Sequence, residues 1–249
     1  MTKILLSGAN GRMGRVIAGI VAERDDCKVV AGIDLNTEAY SDFPIYASAE
    51  EFTGEADVII DFSNPAALES LMTYAKSRAL PVVIATTGYS PEQVAYIKEC
   101  AQSIPVFFSF NMSLGVNLLV SLAKKATEVL GGQFDIEIVE KHHNQKLDAP
   151  SGTALMIADA INETLGNTQT YQYDRHSQRK KRDQNEIGIH SVRGGTIVGE
   201  HQVIFAGRDE VITLTHEAMS RQIFAVGSVN AAVFLKGKSA GLYDMSHMV

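Results

Sequence analysis

The residues able to do chemistry crowd into one stretch, Val139-Glu140-Lys141-His142-His143-Asn144-Gln145-Lys146-Leu147-Asp148-Ala149-Pro150-Ser151-Gly152-Thr153-Ala154-Leu155. Two adjacent imidazoles, and an amine at Lys146, supply proton donors and positive charge. Pro150 has no N–H to donate and Ser151 is a good N-cap, so Gly152 and Thr153 are expected in the first turn of a helix with their amides unpaired. Free amides at a helix N-terminus bind anions. The segment therefore suits a carboxylated substrate that must also be protonated. A solvated loop carrying two histidines is the bland alternative, and the Pro-Ser-Gly-Thr start argues against it. No cysteine or acid stands at zinc-ligand spacing, and Glu140 needs a different geometry to serve as one, so no metal is expected.

The elements around this stretch can be read from period. Phe134 to Val139 alternates as a half-buried strand, and Ala154-Leu155-Met156-Ile157-Ala158 continues as a helix to about Leu165. The chemistry thus sits in a strand-to-helix loop.

A second chemical signal opens the chain. The apolar run Lys3 to Ser7 leads into Gly8-Ala9-Asn10-Gly11-Arg12-Met13-Gly14, followed by Val16, Ile17, Ile20 and Val21 at helical spacing. Gly8 allows the tight turn, Gly11 admits a pyrophosphate to the backbone, and Gly14 lets the helix pack close to the strand. The spacing is G-x-x-G-x-x-G, a weaker signal than G-x-G-x-x-G. The next predicted strand, Lys28 to Ile33, ends at Asp34, where a dinucleotide-binding unit places the acid that holds the adenosine ribose. A carboxylate there repels a 2′-phosphate, and Leu35-Asn36-Thr37 offers no basic group to hold one, so NADH is expected to be preferred, with NADPH possible through Arg12.

Strands at 58–61, 81–85 and 106–108 alternate with helices opened by Pro65 and Pro91. That order predicts a Rossmann-type parallel sheet with ligand beyond its C-terminal strand ends. Those ends carry Phe62-Ser63, Thr86-Thr87-Gly88 after Ala85, and Phe110-Asn111-Met112-Ser113, whose hydroxyls, amides and free backbone groups suit a nicotinamide ring. After Ser113 the pattern changes to a long apolar helix (116–130), the strand and loop already described, and strands at 187–192, 199–205 and 210–216. These predict an α+β substrate domain with an open mixed sheet over residues 113–220. Residues 1–112 and 221–249 form the dinucleotide-binding domain, with a hinge expected near Ser113 and Arg221. The polar stretch 167–186, with Arg175, Arg179, Lys180, Lys181 and Arg182, reads as an exposed mobile loop. One face of the second sheet lies on helices and the other needs cover, which predicts an oligomer built through this domain.

Across the 249 residues the formal net charge is −7, which argues against nucleic-acid or membrane-surface binding. No apolar run reaches a membrane span and Met1-Thr2-Lys3 leads directly into a strand, so a cytoplasmic protein is expected. Cys27 and Cys100 read as incidental thiols.

Taken together, the chain resembles the 4-hydroxy-tetrahydrodipicolinate reductase (dihydrodipicolinate reductase) family over nearly its whole length. The resemblance rests on Gly8 to Gly14, Ala85-Thr86-Thr87-Gly88, Asn111 with Ser113 to Asn117, His142-His143 with Lys146 and Asp148 to Ala154, Val192-Arg193 with Ile197 to His201, and Gly241 to Met245. It departs at Ala85, usually glycine in the family, and at Met112, where many members have phenylalanine. The resemblance implies reduction of a cyclic dicarboxylic imine, with His142 in proton transfer, Lys146 as proton donor, and His143 with Ser151, Gly152 and Thr153 on the substrate carboxylates. It also implies a homotetramer assembled through the substrate-domain sheet. Two rival readings are another pyridine-nucleotide dehydrogenase sharing the nucleotide half, and an NADH-sensing module. The His-His to Lys146 to Ser-Gly-Thr run speaks against both.

Overall fold

The structure, a computed structural model, describes all residues from 1 to 249 and divides into two compact units, Met1–Leu114 with Gln222–Met248, and Gly115–Arg221 with Val249. In chain order the strands of the first unit are β1 (Thr2–Ser7), β2 (Cys27–Ile33), β3 (Ile45–Tyr46), β4 (Val58–Asp61), β5 (Val82–Ile84) and β6 (Pro105–Phe108). Those of the second are β7 (Asp135–His142), β8 (Thr170–Gln172), β9 (Glu186–Arg193), β10 (Gly199–Ala206) and β11 (Val211–Ala218), and β12 (Gly241–Tyr243) returns to the first. The helices are α1 (Arg12–Ala22), α2 (Leu68–Ser77), α3 (Pro91–Cys100), α4 (Leu114–Leu130), α5 (Gly152–Thr164) and α6 (Gln222–Leu235).

In the first unit every strand pairing is parallel, in the order β12-β6-β5-β4-β1-β2-β3. The central strands β4 and β5 are buried at every residue, as a sheet covered on both faces requires. One face packs Ile4, Leu6, Ile60 and Val83 against Ile17 and Val21 of α1 and Val229 and Ala232 of α6. The other packs Leu5, Ile59, Val82 and Val106 against Leu71 and Met72 of α2 and Ile97 of α3. The strand order reverses between β1 and β4, the switch point beyond which a doubly wound sheet takes its ligand. Strands β3 and β12, two and three residues long, are additions to the sequence reading, because such short pieces have no period to read.

The second unit carries the mixed sheet β11-β10-β7-β9-β8. Its register determines which side chains share the covered face. Alternation along β7 sends Ile136, Ile138, Glu140 and His142 to the buried side, where α4 and α5 cover it with Leu119, Ala123, Ile157 and Ile161. On antiparallel β10 the partners of Ile136, Ile138 and Glu140 are Phe205, Val203 and His201. On parallel β9 the partners of Ile138, Glu140 and His142 are Ile189, Ser191 and Arg193. The inner face therefore changes from hydrocarbon to polar side chains at a single level, that of Glu140, and a one-residue slip would turn all of them outward.

The stretch 167–186 corrects the sequence reading. It contains β8, paired parallel with β9, and its two outer arginines are held rather than free. Arg175 pairs with Glu137 and Glu186, and Arg182 with Asp135 and Glu137. Unmatched carboxylates on the sheet draw the basic residues down, leaving Arg179, Lys180 and Lys181 at the surface. No helix is long and apolar enough to cross a membrane.

Candidate active site

Glu140 is fully buried. Its carboxylate accepts from both terminal nitrogens of Arg193, at 2.8 and 2.7 Å, from the backbone N–H of Ser151 at 3.1 Å, and lies 2.5 Å from Nδ1 of His142. Burial alone would push the Glu140 carboxyl upward, but its bonds to Arg193, Ser191 and His142 outweigh that and hold it at about 2. Burial moves His142 the other way, below the ordinary imidazole value, against the pull of Glu140. At neutral pH the pair is thus carboxylate and neutral imidazole. A carboxylate only accepts, so the proton sits on Nδ1 and Nε2 keeps its lone pair.

Ser151 ties this pair to the helix. Its Oγ accepts from the Ala154 N–H at 3.2 Å, capping α5, and lies 3.0 Å from Nε2 of His201. Ser151 is 2% exposed, so both its amide and its hydroxyl are spent inside the protein. The expectation of an unpaired amide at Gly152 is corrected too. Lys146 lies 2.8 Å from Asp148 and holds that carboxyl below its ordinary value, and the Gly152 N–H, onto which the carboxylate folds back, adds to the effect. A carboxylate and an ammonium do meet at this helix start, and both belong to the chain. His143 is half-buried, and its Nε2 accepts from Arg221 at 3.1 Å. Sequence pattern marks Arg221 only as a hinge. The site thus gathers His142, His143, Lys146, Arg193 and Arg221 around Glu140 and Asp148, a cationic excess suited to an anionic substrate.

In the first unit the nucleotide turn has the geometry its glycines imply. Gly8 has φ +77°, and a Cβ on it would stand 2.3 Å from the Phe62 carbonyl oxygen. A Cβ on Gly14 would lie 2.1 Å from the Gly8 oxygen. Gly11 is the N-cap of α1 with no side-chain cap, leaving the first-turn amides to a ligand. Asp34 closes the turn, accepting from the Asn10 and Asn36 amides at 2.9 and 3.0 Å. Ala9 is buried, Met13 half-buried, and Arg12 exposed. Arg15, which the sequence does not single out, donates to Asn10 Oδ1 at 2.7 Å and stacks on Tyr40.

Asp61 organises the other strand ends. Fully buried at the end of β4, it accepts from the hydroxyls of Ser7, Ser63 and Thr86 at 2.8, 2.6 and 2.7 Å. Thr86 is consequently turned inward, while Thr87 stays exposed beside buried Ala85. In the last loop Phe110 is 83% exposed, Asn111 Oδ1 accepts from the Ser113 amide at 2.8 Å, and Met112 and Ser113 are buried. The turn, the exposed amides and Asp34 fit a dinucleotide.

A family model for the N-terminus of dihydrodipicolinate reductase matches residues 2–112, and one for its C-terminus matches residues 115–249. The chain belongs to the dihydrodipicolinate reductase family. A 4-hydroxy-tetrahydrodipicolinate reductase from Caldanaerobacter subterraneus subsp. tengcongensis is 54% identical over 249 residues, covering 100% of this chain and 98% of that protein. One from Clostridium tetani is 47% identical, covering 100% and 97%. Among solved structures, a dipicolinate-bound dihydrodipicolinate reductase from Paenisporosarcina sp. TG-14 superposes with a TM-score of 0.82 at 27% identity, covering 100% of both chains. Membership in the reductase family makes the chain an oxidoreductase that uses a nicotinamide dinucleotide.

Burial, with His142 close by, holds His201 down at about 4, and its Nδ1 has no protein partner to accept a second proton. The unfolded chain takes that proton near 6.5, so it binds more protons than the native state in the window between, and stability falls as pH drops through it. Thermal unfolding should show a loss of roughly 3 kcal/mol between pH 7 and 4 from this group. His201→Gln should flatten that part of the curve; an unchanged slope would assign the acid sensitivity elsewhere.

Proposed function

We propose that the chain reduces 4-hydroxy-tetrahydrodipicolinate to tetrahydrodipicolinate, with loss of water, in the diaminopimelate route of lysine biosynthesis. The observation that carries this reading is the His142 imidazole, its Nδ1 2.5 Å from the buried Glu140 carboxylate that also accepts from the Ser151 amide at the start of α5, in a chain whose two halves both match the family. The substrate is a cyclic imine with two carboxylates and a hydroxyl at C4. Loss of water takes the hydroxyl from C4 and a proton from the neighbouring ring carbon, leaving a conjugated imine. A nicotinamide, when bound, would supply the hydride that C4 takes up, with the electron pair moving onto nitrogen and the neighbouring carbon as an enamide anion. The same neighbouring carbon then takes a proton, restoring the imine.

The chain's own groups serve these proton steps. His142, with Nε2 unprotonated, accepts and returns a proton, and Lys146 donates one, its ammonium held ready by Asp148. His143, and the Gly152-Thr153 start of α5 once a substrate carboxylate takes the place of Asp148 on the Gly152 amide, hold the carboxylates, with Ser151 acting by fixing the turn. On the cofactor side Gly8 to Met13 cradle the pyrophosphate, Asp34 takes the ribose hydroxyls, and Ala85-Thr86-Thr87 with Phe110 to Ser113 border the nicotinamide. Asp34 keeps one lone pair on each oxygen for those hydroxyls and repels a 2′-phosphate, so NADH is the preferred reductant. The protein works in the cytoplasm as a homotetramer joined through the outer face of the second sheet.

Following absorbance of the reduced cofactor, with substrate formed in place from pyruvate and aspartate semialdehyde by the preceding synthase, should show oxidation only when both precursors are present. Lys146→Ala should lower turnover by about 10²-fold while leaving NADH affinity within a factor of about two. Oxidation that is independent of the precursors, or an unaffected K146A rate, would refute the reaction or the donor respectively. For the cofactor, Asp34→Ser should narrow the NADH over NADPH ratio of kcat/KM by about ten-fold; an unchanged ratio would remove Asp34 as the selector.

A further inference from the structure

The family resemblance and the proposed reaction leave Glu140, Arg193 and His201 without a role. We infer that Glu140 is the positioning residue of the proton-transfer site: one buried carboxylate fixes the Nδ1–H tautomer of His142 and, through the Ser151 amide, the start of the carboxylate-binding helix. This rests on the reductase reading, and goes beyond it by naming what makes His142 competent.

The geometry leaves Glu140 little freedom. Its Oε2 accepts from Arg193 Nη1 and lies against His142 Nδ1, while Oε1 accepts from Arg193 Nη2 and the Ser151 amide. Each oxygen thus serves Arg193 and one functional element, so the bidentate guanidinium sets the plane in which both are held. Arg193 is itself oriented by donating to the Asp148 and Val192 carbonyls at 2.7 and 2.8 Å. The ring of His142 has two further neighbours. His201 meets it edge to face with centroids 5.3 Å apart, and Gly199 leaves the space beside Nε2 open, since a Cβ there would stand 3.1 Å from it. The groups that act on the charge of His142 are Glu140 on its own strand, Arg193 on β9, His201 on β10 and Lys146 in the loop. Of these only Glu140 favours the protonated form. Removing its charge must therefore lower the pH at which Nε2 picks up a proton. In a Gln variant the amide oxygen takes the Arg193 bond and the amide NH₂ faces Nδ1, which forces the proton onto Nε2, the wrong atom for a base.

Glu140→Gln is the direct test, assayed in full-length protein against wild-type turnover on the condensed substrate. Wild-type inactivity would refute the reductase reading itself; the inference is judged only on the variant. E140Q should lower kcat by about 10²-fold, with a smaller change in KM, and should move the acid limb of the kcat profile down by roughly half a pH unit or more. Should E140Q fail to fold, Glu140→Asp keeps the charge for Arg193 and withdraws the oxygen from Nδ1 by one methylene. It should retain the melting temperature, lose about ten-fold in kcat and shift the same limb. A folded variant with wild-type kcat overturns the inference. So does a loss of turnover with the acid limb unmoved, because that outcome makes Glu140 structural only.

Discussion

A carboxylate taken wholly out of water costs several kcal/mol unless donors replace the lost hydration, and the second unit is arranged to supply them to Glu140. Arg193 gives two bonds, the Ser151 amide one, and His142 another. These partners come from three separate segments, β9, the α5 start and the end of β7. The compensation of one charge therefore brings together the imidazole, the helix cap and a guanidinium that the chain otherwise keeps far apart. Loss of Arg193, which gives two of these bonds, would leave the buried charge largely uncompensated, which is why the site and the packing of this unit are linked.

The hydrocarbon below Glu140 makes the arrangement possible. Ile136 and Ile138 of β7, with Val203, Phe205, Ile187 and Ile189 on its neighbours, are locked under α4 and α5. That apolar register carries Glu140 and His142 to the same face one and two steps further along, opposite His201 and Arg193. The first unit uses a related device. Asp61 ends a fully buried strand and gathers the hydroxyls of Ser7, Ser63 and Thr86, so three strand ends are fixed relative to one another where a doubly wound sheet binds its nucleotide. In each unit a buried acid at a strand end converts packing into a defined polar geometry.

Local features are the ones legible without coordinates. The glycine turn, Asp34 at the end of β2, the alternation of β7 and the Ser151 cap each depend on neighbours within a few residues, and each is where its pattern puts it. Glu140, by contrast, reads from spacing only as an ill-placed zinc ligand. Its partner Arg193 is 53 positions away, and nothing in the spacing shows that parallel pairing of β7 with β9 sets them side by side. The same holds for Arg221 against His143, 78 positions apart, and for β8, three polar-flanked residues whose strand form comes from pairing with β9. The amide of Gly152 is expected to be unpaired because helix starts usually are, but Asp148 is close enough to claim it.

The protonation pattern of His142 is the central claim, and nitrogen NMR of the wild-type protein labelled with ¹⁵N-histidine reads it directly, with His142→Gln assigning the signal. At neutral pH, without substrate, the His142 resonance should report a neutral ring with the proton on Nδ1 and a bare Nε2. A ring protonated on Nε2, with Nδ1 bare, would contradict the claim that the Glu140 carboxylate prepares this histidine for proton transfer.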